Sequence, residues 1–324
     1  MSGACGVSPQ IKYFIFLMTT VKIKKIKIYK KKECEIPAFL DKSIDATYII
    51  HKLGNGRLDH VKEQLRMYQP TKTVYLVQSP GWKEKRKLPE NAHINDTIRD
   101  IIDNNIQAFK HAKKCGYANI LILEDDFFFK DTILDANVIG EINAFLKQNK
   151  DTAMCYTLGC IPFIAAPCLN FNFIFNGNSC LNHYSCAFCT THCCIYTRAY
   201  REKLLSKGDK YIKNISDWDY ETAFGIMYHQ PLCYQLFPET ENQAVWGKNN
   251  IFIKIAISIA KHLIKIIQLD KKPEPGFMIT YLFSKLLFFN LLLFLAFCLG
   301  ILLVLFKVDL TFLVPRFPPL YVVE

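Results

Sequence analysis

The sequence predicts an α/β domain with a mixed, mostly parallel sheet, followed by a C-terminal transmembrane helix. Three observations predict it. From Asp45 onward, short apolar runs alternate with longer amphipathic ones, the pattern of strands joined by helical crossovers. One apolar run, residues 119–123 (NILIL), ends abruptly in Glu124-Asp125-Asp126. Residues 286–306 run 21 positions without a charge, with Asn290 as the one strongly polar group. About 20 apolar residues cross a bilayer as a helix.

The elements follow in chain order. Residues 47–50 (TYII) read as a strand and 58–68 as a helix, with Val61, Leu65 and Tyr68 near one face. Residues 73–77 (TVYLV) read as a second strand, and 79–91 as a polar loop with Pro80, Gly81 and Pro89. Residues 96–115 carry Ile98, Ile101, Ile102, Ile106, Phe109 and Ala112 at helical spacing, with Gly116 just past the end. Residues 119–123 are a buried strand, and residues 1–41 a loose, variable leader.

The chain has 324 residues, enough for one large catalytic domain or two small ones plus an anchor. Apolar residues make up 51% and aromatic ones 14%, a core-forming composition that excludes disorder over most of the length. The net charge of +11 suits a nucleic acid, an anionic membrane surface or an anionic substrate. Many basic residues sit at 22–32 and just before the apolar C-terminal run. Both can be membrane-adjacent faces, and the first is equally a solvated charge run. A nucleic-acid partner is therefore not expected.

Residues 251–269 place Lys254, Lys261, His262 and Lys265 among isoleucines, as in an amphipathic helix lying in the membrane interface. Residues 250–285 thus read as membrane-proximal, 286–306 as a single span and 307–324 as a short tail. The flanking lysines favour a cytosolic domain over residues 42–249. The apolar run at 13–18 does not read as a signal peptide, since the positive run follows it. Reduced cysteines are then the default for the 13 present, eight of which fall between Cys155 and Cys194. Cys186 and Cys189, with His192, Cys193, Cys194, Cys180 and His183, offer an alternative zinc-binding reading.

The acids after residues 119–123 carry the chemistry. Ligands of open α/β sheets bind beyond the carboxyl ends of strands. Three adjacent acids there repel one another unless something positive neutralises them. Mg²⁺ or Mn²⁺ does so with oxygen ligands and also takes substrate phosphates. In extended chain, Glu124 and Asp126 share one side and Asp125 takes the other. Asp126 and Glu124 are therefore the expected metal pair, bridging the diphosphate of a nucleotide sugar. The plainer reading is an acidic surface turn.

A second group is Asp217-Trp218-Asp219-Tyr220-Glu221, with Ser216 as a possible helix cap. Asp217 and Asp219 are candidate general bases, and Trp218 a platform for a sugar face. The plainer reading is a helix start, where acids are favoured.

Together these stretches resemble glycosyltransferase family 25 and its relatives in large DNA viruses and bacteria, over residues 47–247. Arg57-x-Asp59 matches part of that family's Arg-x-Asp-Arg turn, while His51-Lys52 stands where Asn-Leu is usual and His60 replaces the second arginine. Residues 120–126 match its apolar strand ending in Glu-Asp-Asp. Thr191-His192 before an apolar strand, Asp217-Trp218-Asp219 and residues 231–235 (PLCYQ) follow in the same order. The resemblance implies a GT-A-like, Rossmann-type fold and a nucleotide-sugar donor such as a UDP-hexose. It also implies a glycan or protein acceptor and often inversion at the anomeric carbon. It makes Arg57, Asp59, Asp125, His192 and Trp218 expected donor- or substrate-binding residues. The competing classes are a degenerate or zinc-binding membrane-anchored module and a metal-dependent nucleotidyltransferase.

Overall fold

The computed structural model describes residues 20–26, 38–167, 182–186, 188–208, 210–235, 251–266, 268 and 271–305. Most of the expected leader, the tail at 307–324 and Cys180 lie outside these residues.

Eleven strands are described: β1 (Lys22–Lys25), β2 (Ala46–Lys52), β3 (Val74–Ser79), β4 (Asn119–Glu124), β5 (Phe127–Phe129), β6 (Cys155–Pro162), β7 (Ala165–Pro167), β8 (Asn182–Cys186), β9 (Phe188–Thr197), β10 (Phe224–Tyr228) and β11 (Cys233–Gln235). Nine form one sheet in the order β1-β3-β2-β4-β9-β6-β10-β8-β7; β11 and β5 form a separate pair. The helices are α1 (Leu58–Met67), α2 (Trp82–Lys85), α3 (Thr97–Lys114), α4 (Ala136–Gln148), α5 (Arg198–Lys207), α6 (Lys210–Lys213), α7 (Ile215–Thr222), α8 (Ile251–Ile266) and α9 (Pro273–Leu305).

The α/β class stands, but the sheet is mostly antiparallel rather than mostly parallel. Only β2–β3, β2–β4 and β6–β10 run parallel. The reason lies in the connections. The helical crossovers α1 and α3 join β2, β3 and β4, the part where apolar and amphipathic runs alternate clearly. Beyond β4 the chain inserts β9 antiparallel between β4 and β6. It then adds β8 and β7 antiparallel at the far edge. The cysteine-rich stretch supplying β8 and β9 lacks the alternation that marks a strand pair.

Two further expectations change. Residues 22–25 of the basic run are an edge strand, paired antiparallel with β3. Ile23 and Ile26 pack on the core while Lys24 and Lys25 stay exposed, as suits an edge guarded by lysines. The polar loop at 79–91 contains α2 and a 3₁₀ turn at Pro89–Asn91.

The core has two layers, one on each face of the sheet. Val61 and Leu65 of α1 pack with Val138, Ile142 and Leu146 of α4 on one face. Ile102, Ile106 and Phe109 of α3 pack with Tyr200 and Leu204 of α5 and Trp218 of α7 on the other. Adjacent strand residues face opposite ways. Cys193 accordingly joins the first layer and Cys194 the second. The pair cannot serve one zinc ion, which removes the crowded half of the zinc reading.

Local signals explain the helix ends. Asp96 accepts from the Arg99 N–H at the start of α3. Gly116, at φ 74°, turns the chain out of its end, a conformation that costs glycine no Cβ clash. Ser216 does not cap α7. The helix starts one residue earlier, at Ile215, with Asn214 at the cap position.

The long apolar helix is present as expected and starts earlier, at Pro273. Residues Pro273–Leu299 are long and apolar enough to cross a membrane. Its first turns nevertheless belong to the domain: Phe277, Tyr281 and Ser284 are buried against it. Beyond them Leu287, Leu293, Phe294 and Phe297 are exposed.

Gly159 on β6 lies directly beneath β11. A Cβ there would sit 2.0 Å from the Cys233 carbonyl oxygen and 2.9 Å from His192 Nε2. The first obstacle is backbone, so one strand must move. Gly159→Ala is expected to lower unfolding free energy by about 2–3 kcal/mol, the usual scale of an overpacked core. Denaturant titration checks this, and a loss under about 0.5 kcal/mol, typical of a surface change, would show that β11 does not pack there.

Candidate functional site

β2, β3 and β4 form a parallel trio in the order β3-β2-β4. The chain leaves β2 through α1 to reach one neighbour, then returns through α3 to reach the other. A crevice opens where such connections diverge, beyond the carboxyl ends of the strands, and ligands of doubly wound sheets bind there. Two segments face each other at this switch point: residues 51–57 at the end of β2 and beyond it, and Glu124, Asp125 and Asp126 at the end of β4 and just beyond it.

Asp125 is fully engaged in holding the first segment. Its carboxylate accepts from His51 Nδ1 at 2.8 Å, Asn55 Nδ2 at 2.6 Å, the Lys52 N–H at 3.3 Å and Arg57 Nη1 at 3.0 Å. Burial pushes its pKa up, but His51, Asn55 and Arg57 outweigh this and hold it below the ordinary value. The segment folds back through Gly54 and Gly56, at φ 78° and 77°. Both lie in the left-handed region that glycine enters freely. That reversal returns Asn55 and Arg57 to the carboxylate.

Glu124 and Asp126 share the other side, as strand alternation predicts. Gln235, brought alongside by β5–β11 pairing, places Nε2 3.4 Å from Glu124 and 3.1 Å from both Asp126 oxygens. Arg57 Nη1 lies 3.0 Å from Asp126, and Thr191 donates to Glu124 at 3.3 Å. These donors do not balance the charge. Burial, then the charge of Asp126, raises Glu124 to about 7. Burial likewise holds Asp126 above its ordinary value, although Arg57 and Gln235 pull the other way. Asp125 is compensated, while Glu124 and Asp126 remain short of positive charge.

His192 lies beneath this pair. It is fully buried, with Nε2 3.3 Å from the Cys233 carbonyl and its ring edge-on to Phe277 at 5.6 Å. Burial pushes its pKa down, yet the Cys233 contacts and Glu124 together raise it to about 9. It acts on the acids from below and does not reach a ligand, so its expected donor contact is withdrawn.

Arg57 and the three acids thus meet as expected, with Asp125 positioning the loop rather than facing the donor. The other candidates do not join them. Asp59 points into solvent, 92% exposed and paired with Lys62 at 2.8 Å, because it lies on the outer side of α1. Asp217 pairs with Lys210 at 2.9 Å and accepts from Asn214 at 2.8 Å. α7 packs on α3 and α6 in the helical layer and descends into the start of β10. Ladder register sets that start level with the amino end of β4, at the edge opposite the acids. Trp218 is buried edge-on against Tyr211 and offers no face to a sugar. The plainer reading of this acidic group, a helix start, is the one its surroundings support.

Gln235, Asn55 and Thr191 enter the site without a distinctive sequence signal. A buried network beside the crevice was also missed. Lys85 is 1% exposed and bonds Asp100 at 2.7 Å, Asp103 at 2.6 Å and Asn104 at 2.7 Å, while Ser79 donates to Asp100 at 3.1 Å. The available clue was polar residues on the inner side of an otherwise apolar helix, opposite a lysine in a loop. Among the described residues no group of three His, Cys, Asp or Glu side chains is gathered as a metal site.

No family model matches the chain, and no match was found among the curated proteins.

Asp125→Ala is expected to release the segment at residues 52–57. Amide exchange there should rise about ten-fold or more, the consequence of losing at least 1.4 kcal/mol of local stability. Glu124→Ala should leave that exchange unchanged. Equal protection in both variants would contradict the assigned role of Asp125.

Proposed function

We propose that the chain is a metal-assisted glycosyltransferase that moves a hexose from a nucleotide sugar, such as a UDP-sugar, to an acceptor hydroxyl. The observation that carries this reading is the charge deficit of Glu124 and Asp126 at the switch point. A nucleotide diphosphate, itself anionic, cannot approach two carboxylates without a cation between them. Mn²⁺ and Mg²⁺ are commonly held by one or two carboxylates plus substrate phosphates. The carboxylates fit: Glu124 and Asp126 share one neighbour, the Gln235 amide, whose nitrogen must turn away for a cation to enter. The GT-A-like arrangement and the sugar donor are part of this proposal and draw on the family 25 resemblance.

Glu124 and Asp126 would hold the cation, which when bound neutralises charge developing on the leaving diphosphate as a Lewis acid. Arg57 serves the same charge from the side, with its guanidinium fixed by Asp125 and Asp126. Gln235 holds the two carboxylates together and turns aside as a cation enters. The His51–Asp125–Asn55 contacts keep the loop closed over the crevice, an ordering fixed before the donor arrives. Pre-positioning of this kind lowers the entropy lost on reaching the reactive geometry.

We further propose that α9 spans the membrane once, with the catalytic domain on the cytosolic side. Lys265, Lys271, Lys272 and Lys285 precede the apolar run, and positively charged flanks favour the cytosol.

The test uses the full chain in detergent, because the first turns of α9 are part of the core. Incubated with a panel of nucleotide sugars and Mn²⁺, it should release nucleoside diphosphate from one donor. Chelator should stop the release, and Asp126→Ala should reduce it about 10²-fold or more, as expected when a charge-stabilising group is lost. Release that survives chelation would overturn the metal role. Pyrophosphate as the product from a nucleoside triphosphate would instead identify a nucleotidyltransferase.

A further inference from the structure

A cavity of about 380 Å³ opens where α9 leaves the domain. One wall is the turn after β10, with His229 and Pro231; the other is α9, with Met278, Leu282 and Lys285. Lys285 Nζ bonds the His229 carbonyl at 2.7 Å, which fixes the ammonium at the mouth. His183 on β8 stands close to both. It is 7% exposed, its Nδ1 has no hydrogen-bond partner, and the charges acting on it are those of Lys285 and His229. Burial first, then these two groups, lowers it to about 4. Burial and Lys285 lower His229 as well. Both rings are therefore neutral near pH 7, and His229 lines the cavity beside the fixed positive charge of Lys285.

The apolar side of the cavity continues directly into the uncovered part of the helix. Leu282 and Phe283 are 58% and 61% exposed, and Leu286 and Leu287 follow. A ligand here must match a cationic, hydrogen-bonding end and an apolar end that points into the bilayer. A lipid phosphate with its acyl chains has both. A soluble anion leaves the apolar wall wet, and a zwitterionic headgroup brings its own cation to the lysine.

We propose that this cavity binds the phosphate headgroup of an anionic membrane lipid, with Lys285 as the charged contact, Met278 and Leu282 lining the headgroup end, and the exposed Leu286 and Leu287 beyond it as the path of the acyl chains. Lys285 lies about 12 Å along α9 from Phe277, at 1.5 Å per residue, and none of the acids at the switch point lines the cavity. It depends on the membrane-anchor part of the proposed function and not on sugar transfer.

The experiment uses the full chain in detergent, titrated with short-chain phosphatidic acid, phosphatidylcholine of the same chain length, or inorganic phosphate, and read by calorimetry. Phosphatidic acid should bind saturably and about five-fold or more tightly than either comparison, the scale of one lysine at an anionic surface. Lys285→Gln should remove that preference, and Lys285→Arg should keep it. Met278→Trp, which fills the cavity and leaves the lysine intact, should abolish binding while the lipid-free melting temperature stays unchanged. Equal binding of the two lipids, phosphate binding as tight as phosphatidic acid, or a Lys285→Gln protein with full preference would each overturn the site. Flotation with plain phosphatidylcholine vesicles tests the anchor separately, since an anchored chain floats whether or not the lipid site exists.

Discussion

Arg57 is the tie on which the site depends. It bridges Asp125 and Asp126, and through them connects the turn after β2 to the end of β4. Three consecutive carboxylates at a strand end are unfavourable by themselves, because each resists ionisation beside the others. The fold resolves this unevenly. Asp125 receives His51, Asn55, Arg57 and a backbone amide, and becomes a structural anion. Glu124 and Asp126 receive an amide, a hydroxyl, a share of one guanidinium and the charge of His192 beneath them, yet burial still holds both above their ordinary values. That asymmetry turns an acidic turn into a place with appetite for a cation.

The parallel part of the fold was legible in the sequence because it obeys simple periodicities. The strands at 47–50, 73–77 and 119–123 and the helices at 58–68 and 96–115 each carry a clear local signal; the structure lengthens the strands at their carboxyl ends by one or two residues and trims the helices by one residue at one end or both. The antiparallel half was not legible. β8 and β9 arise from a stretch rich in cysteine, threonine and histidine, where His192–Thr197 are buried on both faces of the strand and no alternation survives. β9 runs between two cores, so Cys193 and Cys194 are equally apolar in context while facing opposite ways. A burial pattern of that kind reads in sequence as a metal cluster as readily as a strand.

The site divides in the same way. Its acids were legible because a buried strand that ends in carboxylates is chemically conspicuous, and alternation alone separated Asp125 from its neighbours. Asp217, Trp218 and Asp219 looked similar in composition, but their position depends on where α7 packs, which no local signal specifies. Gln235 is the converse case. It lies 109 residues from Asp126 in sequence, and antiparallel pairing of two three-residue strands is what brings it there.

The apolar helix is joined to this chemistry rather than appended to it. Phe277 packs on His192 and Tyr234, and Lys130 pairs with Glu274 at 2.8 Å. The floor of the acidic site and the start of α9 therefore share one core. The central claim is that Glu124 and Asp126 accept a nucleoside diphosphate only together with a cation. Calorimetric titration of UDP into the full chain, with Mn²⁺ and then with chelator, tests it most directly. The account predicts affinity at least about ten-fold higher with Mn²⁺, a difference of about 1.4 kcal/mol, and no such gain in Glu124→Gln/Asp126→Asn. Equal affinity in the presence of chelator would contradict it.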